Sequence, residues 1–286
     1  MKRTLAIVGA GRAGRALAAQ LRLLGWNIGA VVTRHAVTSR SAVRAIGGGK
    51  AFAGLTVQIL AADVVLVATP DDALAGVASE LAELGGKEWN GKVVLHVSGA
   101  RSASVLAPLA ARHAHTGSMH PMQTFSAHAR PQLHGVFFAV EGDARAIREA
   151  RGMVRSLGGI PVRIEARQKA AYHCAGSFAA GHVLYVLEAG TRLLEGTAFT
   201  RKQAARALVQ LSRQVLENFE LLGPRAAWTG PLSRGDYETV SRHAEVLKRL
   251  PAQYLDAYAA LARLGVSLLA TSPRSARALL DRALKS

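Results

Sequence analysis

The sequence predicts an α/β domain built on a doubly wound, mostly parallel sheet, followed by an all-helical region. Three observations carry this. An apolar β-type run at residues 5–8 meets a glycine-rich turn and then an alanine- and leucine-rich helical pattern. Residues 63–68 (DVVLVA) and 92–97 (KVVLHV) are apolar along nearly their whole length, as expected of parallel strands covered on both faces. Beyond residue 164, β-type runs vanish and long helical patterns take over. The organisation expected is therefore an α/β domain over 1–164 and an all-helical domain over 165–286.

The first turn reads Gly9-Ala10-Gly11-Arg12-Ala13-Gly14. Gly9 suits the tight turn, Gly11 lets backbone approach a pyrophosphate, and Gly14 lets helix and strand pack closely. The helix behind it offers free N–H groups and its positive dipole end to phosphate oxygens. This is the dinucleotide-binding pattern of a Rossmann domain. Residues 27–33 (NIGAVVT) read as the second strand, which ends in Thr33-Arg34-His35 with no carboxylate nearby. An NAD site carries an acidic residue about twenty positions past the glycine turn, for the ribose 2′-hydroxyl. A hydroxyl followed by a guanidinium suits a 2′-phosphate instead, so NADP(H) is the expected cofactor.

Residues 40–46 read as a short helix and Gly47-Gly48-Gly49 as a loop. The strand at 63–68 leads into Thr69-Pro70-Asp71-Asp72, at the carboxyl end where open α/β sheets bind ligands. Thr69 and Pro70 join the cofactor set, and Asp71 and Asp72 are expected to cap a helix starting near Ala73. The strand at 92–97 ends in Ser98-Gly99, a hydroxyl with adjacent N–H groups suited to a carboxylate or nicotinamide. Residues 113–125 (HAHTGSMHPMQTF) hold three histidines. His113 and His115 fit one strand face, but no Cys or acidic partner stands at ligand spacing, so no metal is expected. His120, ending a strand before a proline, is a better substrate contact, with Gln123 following. Strands at 135–141 and 160–164 flank a helix at 144–157.

The segment 166–195 is apolar or small on nearly every side, which predicts one buried helix. Lys169 and His173 stand four apart on one of its faces, where burial would lower both pKa values and suit proton donation. A second long helix covers 201–222. A loop over 229–236 contains Arg234 and ends in Asp236, placed to cap the helix from Tyr237. A last helix at 253–264 precedes a polar, arginine-rich tail.

Composition bounds the function classes. Half of the 286 residues are apolar and only 5% aromatic, as suits aliphatic α/β and helical cores. No apolar run is long enough for a bilayer, and the basic start at residues 1–4 breaks at once into the glycine turn, so a cytoplasmic protein without a membrane partner is expected. One cysteine, Cys174, leaves no internal disulfide. The net charge of +17 is spread along the chain without aromatic interleaving. It fits attraction of an anionic cofactor and a small anionic substrate better than nucleic acid.

Four stretches together carry a resemblance: residues 97–99 (VSG), 117–125 (GSMHPMQTF), 169–183 (KAAYHCAGSFAAGHV) and 229–243 (TGPLSRGDYETVSRH). They resemble the two-domain Rossmann family, long labelled a domain of unknown function, that includes the alternative type of ketopantoate reductase. Its wider relatives are the 6-phosphogluconate and 3-hydroxyisobutyrate dehydrogenases. In those relatives a Ser-Gly turn like Ser98-Gly99 holds the substrate carboxylate, and a helix lysine in the place of Lys169 serves the reacting oxygen. His173 stands where they carry an asparagine. The resemblance also implies a homodimer through the C-terminal helices, with the loop around Arg234 lining the neighbour's cleft. Family members often read Phe-Ala-Ser-Asn where this chain has Phe178-Ala179-Ala180-Gly181, which points to a different or larger substrate.

The function expected is NADPH-dependent reduction of a small 2-oxo acid, with ketopantoate the leading substrate. Lys169 or His173 would protonate the oxygen, while Ser98, Gly99, His120, Gln123 and Arg234 would hold the substrate. Reduction of another carbonyl or an imine, oxidation of a 3-hydroxy acid, and a non-catalytic NADP(H)-binding regulator are the alternatives.

Overall fold

The computed structural model describes residues 3–126 and 132–285. Residues 1 and 2 of the basic start lie outside them. The chain divides into two compact units that meet in sequence at Ala180 and Gly181.

The first unit is organised by an eight-stranded sheet in the order β3-β2-β1-β4-β5-β6-β7-β8. Its strands are β1 (Thr4–Val8), β2 (Asn27–Thr33), β3 (Lys50–Ala53), β4 (Val64–Val67), β5 (Val93–His96), β6 (His115–Pro121), β7 (Phe137–Gly142) and β8 (Ile160–Arg163). All neighbours run parallel except β6 and β7. The chain winds outward one way from β1 and returns to build β4 on the other side, so the strand order reverses at β1/β4, the place where such sheets bind dinucleotides. Strands β4 and β5 are buried at every residue, as their unbroken apolar sequences require. One core layer joins Leu5, Ile7, Leu17, Leu66 and Leu95 to Phe138 and Val154. The opposite layer joins Val8, Val65, Val67, Leu81, Trp89 and Leu106. Helices α1 (Arg12–Leu23), α2 (Ala36–Ile46), α3 (Leu74–Gly85), α4 (Ala107–Ala110) and α5 (Ala144–Ser156) supply these layers with the strands, and α6 (Lys169–Ser177) follows β8.

Several local readings change. Strand β3 forms directly after the glycine loop, where no strand was expected, because its edge position asks for little burial. Helix α2 begins four residues before 40. Helix α3 is capped by Ala73 without a side-chain hydrogen bond, so Asp71 and Asp72 do not cap it. His113 sits in a turn ahead of β6 with a left-handed backbone, φ 63°, and so cannot share a strand face with His115.

The second unit is helical. It contains α7 (Val183–Glu195), α8 (Arg201–Leu222), the short α9 (Pro224–Ala227), α10 (Tyr237–Leu247), α11 (Gln253–Leu269) and α12 (Pro273–Ala283). Asp236 caps α10 by accepting the Thr239 N–H at 3.0 Å. The arginine-rich tail is α12. Its Leu280, Ala283 and Leu284 pack with Val240, Ala244 and Val266 into the unit's core. The expected helix over 166–195 runs without interruption, opening in a 3₁₀ turn before α6 and passing through a π turn at Phe178–His182 between α6 and α7. It is not buried. Leu184, Tyr185 and Val186 on α7 are each at least half exposed, as are Leu211, Leu216 and Phe219 on α8. A helix apolar on all sides needs cover, and the described residues do not supply it there.

Candidate functional site

The dinucleotide cradle is built where β1 turns into α1. Gly9 has φ 83°, and a Cβ there would lie 2.6 Å from both the Cγ2 and the N of Thr69, so only glycine fits. A Cβ at Gly14 would come within 2.8 Å of the Ala68 Cβ, which confirms its role in close packing against β4. Gly11 is the N-cap of α1 and offers no side-chain acceptor, so the first N–H groups of α1, from Arg12, Ala13 and Gly14, stay free for an anion. A cleft of about 1020 Å³ opens over this turn, lined by Gly9 to Ala13, Thr33, Arg34, Thr69 and Pro70 among others. Every residue expected for the cofactor except Gly14 lines it directly. The Thr69 hydroxyl oxygen is buried without a hydrogen-bond partner beside the cleft. An orphaned hydroxyl, a glycine-only turn and an uncapped helix start fit a dinucleotide. The Thr33 hydroxyl donates to the His35 carbonyl at 2.9 Å, which leaves the Arg34 guanidinium as the charged donor at the end of β2.

The second cluster lies at the carboxyl ends of β5 and β6. Ser98 is buried, and its Oγ accepts the N–H groups of Ala100 (3.2 Å) and Arg101 (3.0 Å), which closes the turn. A Cβ on Gly99 would meet the His173 ring at 2.7 Å and the His120 ring at 2.8 Å, so both imidazoles rest on its bare Cα. The two rings stand 6.2 Å apart, centroid to centroid. The structure thus brings Ser98, Gly99, His120, Lys169 and His173 together. Gln123 is exposed, with its side chain engaged by the Thr124 N–H and the Gln132 carbonyl. Arg234 belongs to the second unit, on the turn Leu232–Arg234.

Lys169 begins α6 and is 1% exposed. Its Nζ donates to the Ser98 carbonyl at 2.7 Å and to the Ser118 hydroxyl at 3.0 Å. Burial lowers its pKa to about 8, against the pull of the Glu141 and Asp71 carboxylates. Asp71, freed from capping, therefore bears on this cluster. Burial, then the charges of Lys169 and His173, lower the His120 pKa to about 4, so its ring is neutral near pH 7. The Tyr172 hydroxyl lies 2.9 Å from His120 Nδ1 and donates to the His120 carbonyl at 3.2 Å.

Four members of this cluster escaped the sequence reading. Tyr172 stands next to His173, three residues past Lys169. His96 ends β5, and its Nδ1 accepts the Ser98 N–H at 3.1 Å. Ser118 and Glu141 are directly paired across β6 and β7. The signal for the last was available: a carboxylate closes the otherwise apolar run 137–141 (FFAVE). Among the described residues, no three His, Cys, Asp or Glu side chains are grouped to hold a metal ion, and no helix is long and apolar enough to cross a membrane.

Comparison with curated proteins found no match. Among solved structures, a protein from Bacteroides fragilis named as a candidate NADP oxidoreductase superposes with a TM-score of 0.73 at 20% identity, over 97% of this chain and 98% of that one. An imine reductase from Streptomyces aurantiacus gives 0.65 at 15% identity, over 97% and 99%. A pyrroline-5-carboxylate reductase from Coxiella burnetii gives 0.58 at 15% identity, over 100% and 98%. At such identities the likeness is one of fold. The family model of a Rossmann-like domain matches residues 1–121. The model described as a domain of unknown function, DUF2520, matches residues 136–264.

Proposed function

We propose that this chain is an NADPH-dependent reductase of a small anionic substrate, with a 2-oxo acid as the substrate class and ketopantoate as its leading member. The observation that carries the reading is the Ser98-Gly99 turn, roofed by two imidazoles and set one strand away from a dinucleotide-sized cleft at the reversal of strand order. The glycine turn and the start of α1 would hold the pyrophosphate, Arg34 the 2′-phosphate, and Thr69 and Pro70 the wall between them. When bound, the cofactor supplies the hydride. The protein's own part is to orient the substrate and to handle one proton.

Ser98 fits the orienting role. Both lone-pair directions of its Oγ face N–H groups, so its hydroxyl proton is left to donate outward, to a carboxylate or carbonyl oxygen. The proton falls to His173. Lys169 is buried with Nζ engaged by two acceptors, and His120 is neutral at working pH, whereas His173 is exposed beside Gly99. Its ring is thus the accessible acid at that face. A C=N substrate is the second reading, because imine and pyrroline-carboxylate reductases share the fold. NADPH consumption by the purified protein, measured against 2-oxo acids including ketopantoate and against 1-pyrroline-5-carboxylate, decides between them. Turnover of neither class, with NADPH bound, would instead favour a cofactor-sensing regulator.

We further propose a homodimer through α7 and α8. The support is the set of exposed large apolar side chains on these helices, Leu184, Tyr185 and Val186 on α7 and Leu211, Leu216 and Phe219 on α8. Light scattering on the eluting protein tests it, and a monomer at micromolar concentration overturns it.

A further inference from the structure

Lys169 is the most deeply buried charged side chain described in the molecule, and it touches the Ser98-Gly99 turn through backbone alone. The grip continues beyond it. The Ser118 hydroxyl accepts from Lys169 and donates to Glu141 Oε2 at 3.3 Å. The same Glu141 oxygen accepts the Ala103 N–H at 2.7 Å. Lysine and glutamate therefore hold the two ends of one turn, the Ser98 carbonyl and the Ala103 amide, and the β6–β7 pairing of Ser118 with Glu141 fixes their spacing. His96 takes the Ser98 N–H from below. At the start of the turn the Ser98 hydroxyl proton and the Gly99 N–H are left without an acceptor among the described residues.

A trans peptide points its C=O and N–H in opposite directions. An ammonium drawn onto the Ser98 carbonyl therefore turns the Gly99 N–H away from the lysine, and by polarising the peptide it strengthens that N–H as a donor. We propose that Lys169 is a positioning residue that acts through the Ser98–Gly99 peptide, with Ser118 and Glu141 completing the clamp, so that the Gly99 N–H and the Ser98 O–H form a paired donor site for one carboxylate of the substrate. The clamp follows from the geometry; the identity of the acceptor rests on the reductase reading. The titratable groups facing Lys169 are the carboxylates of Glu141 from β7 and Asp71 after β4 and the neutral imidazoles of His96 from β5 and His120 from β6.

The clamp can be read without turnover. Ser98-Gly99 is the one Ser-Gly dipeptide in the chain, so labelling serine carbonyl carbon and glycine nitrogen isolates this single peptide by NMR in the full-length protein. In the wild type both its resonances move with pH through one midpoint near 8, the Lys169 value. Glu141→Gln lowers that midpoint by removing the charge that supports the ammonium, and Lys169→Met abolishes the movement. A peptide signal that titrates alike in wild type and Lys169→Met overturns the clamp. Ser118→Ala is the milder variant should Lys169→Met not fold, and a midpoint unmoved there overturns it equally.

The donor site is tested by calorimetry with oxamate on NADPH-loaded protein. Losing one charge-supported hydrogen bond weakens oxamate by about tenfold or more in Ser118→Ala and Lys169→Met, with NADPH affinity unchanged. Equal oxamate binding in these variants, with turnover lost, would make Lys169 a proton donor and overturn the positioning role. The coupled titration in a wild type that ignores oxamate upholds the clamp and counts against the 2-oxo acid reading alone.

Discussion

Lys169 and His173 leave the same helix four residues apart, yet they meet opposite fates. Lysine at the first position of α6 plunges into the sheet ends and is consumed by backbone and a serine, while histidine one turn later remains at the surface over Gly99. Equal standing on a helical wheel does not equal equal access. Replacing His173 with alanine is expected to cut turnover by about a hundredfold, the ordinary worth of a general acid, while NADPH affinity stays unchanged. Steady-state kinetics beside fluorescence titration of NADPH checks both halves. Arg34 is the charged donor where β2 ends, with no ion pair among the described residues. Arg34→Ala should weaken NADPH about tenfold to a hundredfold and leave NADH binding nearly unchanged, because only the former carries the 2′-phosphate. Equal losses for the two nucleotides would remove the argument.

Among the elements, α5 has the most heavily used cap. Asp143 accepts the N–H groups of Arg145 (2.8 Å) and Ala146 (2.9 Å), while its other oxygen accepts the Thr116 N–H of β6 (2.7 Å). Burial works against its charged form, but the bonds from Ala146, Thr116 and Arg145 prevail and hold its pKa below the usual aspartate value. Asp143→Ala removes a helix cap and also orphans a strand donor, so a loss of about 2–3 kcal/mol is expected in urea unfolding. Asp143→Asn, which keeps the acceptor, should recover most of it. Elements were also where the sequence was read best and worst. Strands β1, β2, β4 and β5 and helix α5 were legible because their apolar periods are unbroken. The π turn between α6 and α7 was not, since the segment 169–195 contains no proline to mark it. The tail helix α12 was hidden by its arginines: its buried stripe, Ala276, Leu280, Ala283 and Leu284, is narrow and half alanine.

For the molecule as a whole, buried histidines set the response to acid. His96 is fully buried, and burial followed by the Lys169 charge lowers its pKa to about 3; His120 behaves alike at about 4. The unfolded chain takes up these protons near pH 6.5, before the folded protein can. The contribution of these histidines to stability is therefore full above about pH 6.5 and falls as pH drops toward 4. His96 alone contributes about 1.4 kcal/mol per pH unit in that window. Melting temperature measured from pH 7 to pH 4.5 checks this, and His96→Gln should flatten the profile. A profile equally steep in that variant would assign the loss to other groups.

The alternation of strands and helices in the first unit, β3 aside, the glycine turn and the cofactor residues around it were legible in the sequence, because all of these depend on local spacing: a period of strands, a bare Cα, an uncapped helix start. The sequence also brought Ser98, His120, Lys169 and His173 under notice one at a time. How they divide the work follows from long-range packing. Ser118 and Glu141 meet through an antiparallel pairing across 23 residues. Lys169 reaches Ser98 across 71. Burial of that lysine, and the two acceptors that make it tolerable, come from strands distant in sequence. Whether a charged side chain faces a substrate or grips a backbone carbonyl depends on those strands, and no periodicity along the chain records it.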